Sequence, residues 1–460
     1  MDCMTLPNFL SVSEALNLMQ AGKLSPVVLA KACSNQIESL NPKLNAFITV
    51  VDINSTDLQK ESLTNPLACI PIAIKDLFET RGIRTTAGSR FFENYIPTED
   101  AVVVRKLKAA GAIIMGKTNT HEIALGVTTV NPHYGACHNP WDQNRITGGS
   151  SGGSAVAIAT GMALGALGTD TGGSIRIPAS LCGVTGLKPT FGRVSMRGVF
   201  PLSWNLDHVG PLTRTVKDAG LILQVIAGYD PDDPYSINHP VDDYAEDIEY
   251  GIKNQRVALA VGDYVTDADP EVLDAVNQAA HTFEKLGAKV EKVDMSFLQD
   301  AALANSLMTP ADGAAYHRQR LAEHPDWFGT DVRQRLEMGR NLTSTDYIMA
   351  RRTQTEVKHR LGKFFEQYDL LLLPSTPIPA PLIEGNDAVE QARRLTRFTS
   401  PFNLTGLPAL SIPCGFTKDG LPIGLQIVSR AWNETGVLRA GRAYERETDW
   451  SGRRPPMSQI

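Results

Sequence analysis

Cysteine is sparse and scattered: six in 460 residues (Cys3, Cys33, Cys69, Cys137, Cys182, Cys414), with no CxxC pair among them. Thiols so placed behave as small buried apolar groups, so neither a disulfide framework nor a zinc ribbon is expected. An excess of one charge is also missing. The chain carries 44 Lys+Arg against 50 Asp+Glu, well mixed, for a formal net charge of -6. Nucleic-acid binders concentrate basic side chains on one face, so direct contact with nucleic acid is not expected. No long hydrophobic run appears. The most apolar segment, Ser154 to Gly168, is too short to span a bilayer and reads as a buried helix. The opening Met1-Asp-Cys-Met-Thr-Leu lacks a basic stretch followed by an apolar core, so a cytoplasmic location away from membranes is expected. Internal repeats and low-complexity segments are absent as well.

What remains is globular: 42% hydrophobic and 20% charged residues, enough for a large core. Ser11 precedes a run of helical period, and Pro26 follows Ser25 at a first helical position, where a missing N–H costs nothing. Short apolar strands are predicted at 70–74, 112–115, 164–169, 257–262, 289–293, 370–373, 409–413 and 423–428, alternating with helices such as 100–110 and 269–286. This alternation predicts an α/β fold, a β-sheet covered by helices on both faces. A single domain over 1–460 is expected. Its parts are an N-terminal helical segment (1–66), a catalytic core (67–215), a nearly all-helical cap (297–368) and a C-terminal return to the sheet (369–460). The Pro-rich stretch 373–382 reads as a rigid extended connector.

Gly111-Ala-Ile-Ile-Met-Gly116-Lys117-Thr118 satisfies the P-loop pattern letter for letter. A phosphate cradle needs free backbone N–H groups after a strand, whereas here the intervening residues are themselves an apolar strand with amides committed to a ladder. A nucleotide site is therefore not expected.

The densest unusual chemistry lies in Thr147-Gly-Gly-Ser-Ser-Gly-Gly-Ser154 and Gly168-Thr-Asp-Thr-Gly-Gly-Ser-Ile-Arg176. Each runs directly into buried-looking apolar sequence, which argues against flexible linkers. Thr171-Gly172-Gly173-Ser174 offers a hydroxyl nucleophile beside unobstructed N–H donors, the combination that acyl transfer requires. Serine needs a base. His121, His133, His138 and His208 are available, but none sits in a recognisable triad context and no G-x-S-x-G elbow occurs. Lys75 is the alternative. It ends the apolar strand Ile70-Pro-Ile-Ala-Ile-Lys75, where burial disfavours the ammonium and brings a neutral amine within reach near pH 7.

These motifs, taken together, resemble the amidase signature family. The resemblance rests on Ala73-Ile-Lys75-Asp76, Gly116-Lys-Thr-Asn119, Asn139-Pro-Trp-Asp142, Gly148-Gly-Ser-Ser-Gly-Gly-Ser154, Thr169-Asp-Thr-Gly-Gly-Ser-Ile-Arg-Ile-Pro178 and Gly183-Val-Thr-Gly-Leu-Lys-Pro189. It implies a central mixed, twisted β-sheet, and a triad of Lys75 as base, Ser150 as relay and Ser174 as acylated nucleophile, with a cis Gly149–Ser150 peptide. Thr171, Gly172, Gly173 and Ser174 would supply oxyanion amides. Ala124 and Ser151 join the oxyanion and substrate-binding group, and Asp170 and Arg176 brace the loop. No metal or organic cofactor is implied.

The family contains free-standing hydrolases of small amides, ureas and carbamates. It also contains the A subunit of glutamyl-tRNA(Gln)/aspartyl-tRNA(Asn) amidotransferase, a glutaminase that supplies ammonia to partner subunits. The main expectation is a free-standing amidohydrolase acting on a small-molecule amide, with a homodimer possible; the amidotransferase component is the alternative. The resemblance implies that the latter holds the glutamine ammonium with an aspartate. Thr396 stands at that position, beside Arg397, and Ile177 replaces the glutamine that would follow Ser-Ile-Arg. Arg397 is either a partner for a substrate carboxylate or a structural side chain.

Overall fold

A computed structural model describes residues 6–53, 62–385 and 387–459. Cys3 and the opening residues 1–5 lie outside the described residues. The other five cysteines are all buried.

Eleven strands form one sheet: β1 (Phe47–Val50), β2 (Pro71–Lys75), β3 (Ile113–Thr118), β4 (Gly165–Asp170), β5 (Thr185–Lys188), β6 (His208–Thr213), β7 (Arg256–Val261), β8 (Lys289–Asp294), β9 (Leu370–Pro374), β10 (Ala409–Phe416) and β11 (Pro422–Val428). Their order is β1-β3-β2-β4-β6-β5-β10-β11-β9-β7-β8. The β3–β2–β4 and β9–β7–β8 neighbours run parallel, and the central pairs run antiparallel. The sheet is therefore mixed, as the resemblance implied.

Strand geometry sends successive side chains to opposite faces, and the core follows that rule. Val257, Leu259, Leu370 and Leu372 pack on one face with Val272, Val276 and Phe283 of the helix Pro270–Lys285. Their neighbours Ala258, Ala260, Leu371 and Leu373 pack on the other with Leu298, Ala301, Met308 and Leu361. Helices thus cover both faces, which is why β2, β4 and β9 are buried along their whole length. The stretch expected as a helical cap forms helices Leu298–Tyr316, Arg318–Glu323, Thr330–Arg340 and Ser344–Gln367. Ser11 builds a capping box with Glu14, and Pro26 opens the helix Pro26–Leu44.

Two expectations are corrected, and three strands went unpredicted. The segment 154–168 is not one buried helix: Gly152–Ala159 is helical, and the chain then turns into β4. The strand predicted at 164–169 is present, and only the helix is shorter than expected, because an Ala- and Gly-rich stretch buried all round carries no period to mark its end. The Pro-rich stretch is no spacer, since Leu373 and Pro374 finish β9. Ser375 continues the pairing, donating its N–H to the Gly424 carbonyl at 2.9 Å and placing its hydroxyl 2.7 Å from that of Ser411. Strands β1, β5 and β6 carried no usable signal. β6 contains both Gly and Pro, which weaken a strand reading, and β1 and β5 are only four residues long.

The P-loop look-alike is β3 itself. A Cβ on Gly116 would lie 2.3 Å from the Thr49 carbonyl oxygen, so the glycine admits β1 rather than a phosphate. Lys117 is buried, donates to the Phe78 carbonyl and the Thr85 hydroxyl, and pairs with Asp76 at 3.4 Å.

Candidate active site

The parallel pairing of β2 with β4 matches Ile72 with Gly165 and Ile74 with Leu167, so both strands end at the same edge. Lys75 closes one and Thr169 lies near the end of the other. The Lys75 Nζ reaches the hydroxyls of Ser150 and Thr169, each at 2.7 Å. Lys75 and Ser150 are fully buried, whereas Ser174 keeps 5% of its surface exposed. The Gly149–Ser150 peptide is cis, as the resemblance implied. Ser151 donates its N–H to the Ser174 carbonyl at 3.2 Å and its hydroxyl to the Thr169 carbonyl, which joins the two Gly/Ser-rich loops.

Burial pulls the Lys75 amine down to about 7, against the opposing attraction of Asp170 and Asp207. Both amine partners are hydroxyls, so no carboxylate in contact holds the proton in place. Near neutrality, Lys75 can therefore exchange a proton with Ser150.

The loop after β4 turns through Gly173 at φ +135°, where a Cβ would meet the Thr399 hydroxyl at 2.1 Å. Only glycine is compatible with both the conformation and that approach. The N–H groups of Gly172, Gly173 and Ser174 donate to no protein acceptor among the described residues. These are the free donors that an oxyanion needs.

Asp170 and Arg176 form the expected brace. The guanidinium contacts both Asp170 oxygens at 3.0 and 2.8 Å, and also the Thr399 carbonyl, Gln426 and Asn403. Burial alone would raise the Asp170 pKa, but the charge and hydrogen bonds of Arg176 prevail and hold this carboxyl well below the usual range.

Ala124 departs from expectation. Its N–H donates to the His121 carbonyl at 2.9 Å and so offers nothing to an oxyanion. The histidines are committed elsewhere. His121 pairs with Asp331, His133 with Glu122, and His138 with the Gln143 carbonyl. Burial, reinforced by the nearby Lys188 charge, pushes the His208 pKa far down, and its Nδ1 lies 2.7 Å from the Leu206 carbonyl. Among the described residues no histidine ring bonds to the hydroxyl of Ser150 or Ser174; His121 meets Ser150 only through its backbone N–H, which donates to the Ser150 carbonyl at 3.3 Å. Arg397 pairs with Asp267 and packs against the rings of Tyr264 and Phe398, contacts that engage it within the protein. No group of three or more side chains able to hold a metal occurs among the described residues.

Sequence reading missed four contributors. Thr169 shares the lysine amine, Asp207 accepts the Thr171 hydroxyl at 2.6 Å, and Asn305 and Thr399 reach the glycine loop from distant segments. Thr169 lies inside the Gly168–Arg176 motif already singled out. Asn305 sits in helical cap sequence that carries no local signal.

A family profile described as Amidase matches residues 28–438. The A subunit of the glutamyl-tRNA(Gln) amidotransferase of Roseiflexus sp. (strain RS-1) is 39% identical over 486 aligned positions, covering 99% of each chain. The crystal structure of the corresponding A subunit from Thermotoga maritima superposes with a TM-score of 0.85 at 36% identity, over 96% of this chain and 95% of that one. The 6-aminohexanoate cyclic dimer hydrolase complexed with substrate superposes with a TM-score of 0.90 at 28% identity, over 98% of this chain and 99% of that one. With a profile match across most of its length and full-length relatives, this chain belongs to the amidase signature family and is an enzyme acting on carbon–nitrogen bonds.

Proposed function

We propose that the chain opens a small carboxamide through an acyl-enzyme on Ser174, with Ser150 as proton relay and Lys75 as base. The observation that carries this is the buried, hydroxyl-partnered amine of Lys75, 2.7 Å from Ser150. Ser174 attacks the carbonyl carbon and its proton passes through Ser150 to the neutral amine. The tetrahedral oxyanion meets the free N–H groups of Gly172, Gly173 and Ser174. Collapse expels the nitrogen, which takes the proton back along the same route, and water then repeats the cycle to free the acid.

Glutamine as the amide, with ammonia passed to partner subunits, has the better support from sequence, because the full-length relatives carry that amidotransferase name. A free-standing hydrolase of a small amide, urea or carbamate is the second reading, and one observation favours it. A Cβ on Gly172 would lie 3.6 Å from the methyl of Thr396, so an uncharged side chain borders the glycine loop where the resemblance expects an ammonium-binding aspartate. Ammonia release from glutamine by the isolated chain, and by the chain with the other amidotransferase subunits, separates the two. Turnover that appears only with partners supports the first. Rapid hydrolysis of neutral amides or ureas without partners, and none of glutamine, supports the second. Ser174→Ala abolishing both activities is required by either.

A further inference from the structure

We propose that Asn305 and Thr399 are positioning residues that aim the oxyanion donors, an inference that rests on the catalytic reading of Ser174. A trans peptide is planar, and its C=O and N–H point in opposite directions. Holding a carbonyl therefore aims the N–H of the next residue. The Asn305 side-chain amide donates to the Thr171 carbonyl at 3.1 Å, which directs the Gly172 N–H the other way. The Thr399 hydroxyl donates to the Gly172 carbonyl at 2.6 Å, which does the same for the Gly173 N–H. The third plane is fixed locally, since the Gly173 carbonyl accepts the Ile177 N–H at 2.7 Å.

Both residues come from far away in the chain. Asn305 lies in the helix Leu298–Tyr316, 134 positions from its partner, and Thr399 precedes the helix Ser400–Thr405, 227 positions from its own. Asn305 is 4% exposed and Thr399 is fully buried, so neither donor is drawn off to solvent. The absence of a side chain at Gly173 is what lets Thr399 approach. A glycine-rich loop has many accessible peptide orientations, and left to itself it would spread its donors over several directions. The helical cap and the C-terminal segment remove that freedom before substrate arrives, the preorganisation that makes oxyanion donors effective.

The test needs no knowledge of the natural substrate. An alkyl fluorophosphonate phosphonylates an activated serine: the serine oxygen–phosphorus bond forms, the phosphorus–fluorine bond breaks, and the serine proton leaves to the base. Its limiting rate and its half-saturation concentration are measured for the intact chain, Thr399→Val, Thr399→Ser and Asn305→Ala, with the labelled Ser174 peptide quantified by mass. The expected result is a limiting rate lowered about 10-fold or more in Thr399→Val and Asn305→Ala, below the 10²–10³ for deleting a donor outright. Half-saturation and the pH inflection near 7 should stay put, and Thr399→Ser, which keeps the hydroxyl, should react like the intact chain. Equal limiting rates in folded Thr399→Val and Asn305→Ala overturn the proposal, as does a loss in Thr399→Val that Thr399→Ser fails to reverse. Absence of Ser174 labelling in the intact chain would instead remove the catalytic reading beneath it.

Discussion

Two lysines on adjacent strands are buried to the same extent and keep different company. Lys75 ends β2 and Lys117 lies one step before the end of β3, and both are inaccessible to solvent. Lys117 faces Asp76 at 3.4 Å, and burial pulls it down only to about 8 because that carboxylate opposes the shift. Lys75 touches two hydroxyls and falls to about 7. Burial by itself therefore does not make a base. A buried amine beside a carboxylate is half of an ion pair, whereas a buried amine beside hydroxyls is free to trade its proton.

The sharpest way to break this comparison is to remove each amine in turn. Lys75→Met, like Ser174→Ala, should lower turnover by about 10³-fold or more, by analogy with triad deletions. It should leave the thermal midpoint nearly unchanged, because Asp170 keeps Arg176 as its partner. Steady-state rates and circular dichroism on the same preparations check both halves.

Lys117→Met should behave the other way. It strands the buried Asp76 carboxylate and should cost about 3–5 kcal/mol of stability, while the folded fraction keeps its rate per labelled Ser174. Adding Asp76→Asn should recover part of the loss in a denaturant melt. Comparable stability costs for the two lysine variants would remove the distinction drawn here.

The pH profile offers a finer probe. Only the neutral Lys75 can accept a proton, so activity should fall by about tenfold per pH unit below pH 7 and level off above it. An inflection well away from 7, or one shifted by replacing His208, would assign the base elsewhere. The smallest effect is expected at Arg397, a charge paired at the surface. Arg397→Ala should leave kcat/KM within about twofold of the intact chain, the range for a surface change away from the site. A large rise in KM would return Arg397 to the substrate.

Much of this was legible in the sequence, and unevenly so. The strand ending at Lys75 was visible because a short apolar run with a terminal cation has few other readings, and the glycine- and serine-rich loops were visible because such backbone freedom is rarely left without a use. The strand at 164–169 was visible, but the helix before it was drawn too long, across 154–168, since a segment buried on all sides shows no period to mark where it ends. Ala124 was placed among the donors by resemblance, but its N–H is spent within its own turn, a matter of local dihedral angles. Thr399 lay inside a conspicuous Thr-Ser-Pro-Phe-Asn run, yet nothing local could say that its hydroxyl reaches a carbonyl 227 positions away.

Local composition determined which groups could react: a serine among glycines, a second serine, and a lysine closing an apolar strand. The packed sheet decided which of them meet, and which lysine is left without a carboxylate. That decision lies beyond any sequence window because a proton affinity is set by every charge and hydroxyl within a few ångströms. The neighbours of Lys75 come from segments 75 and 94 positions away.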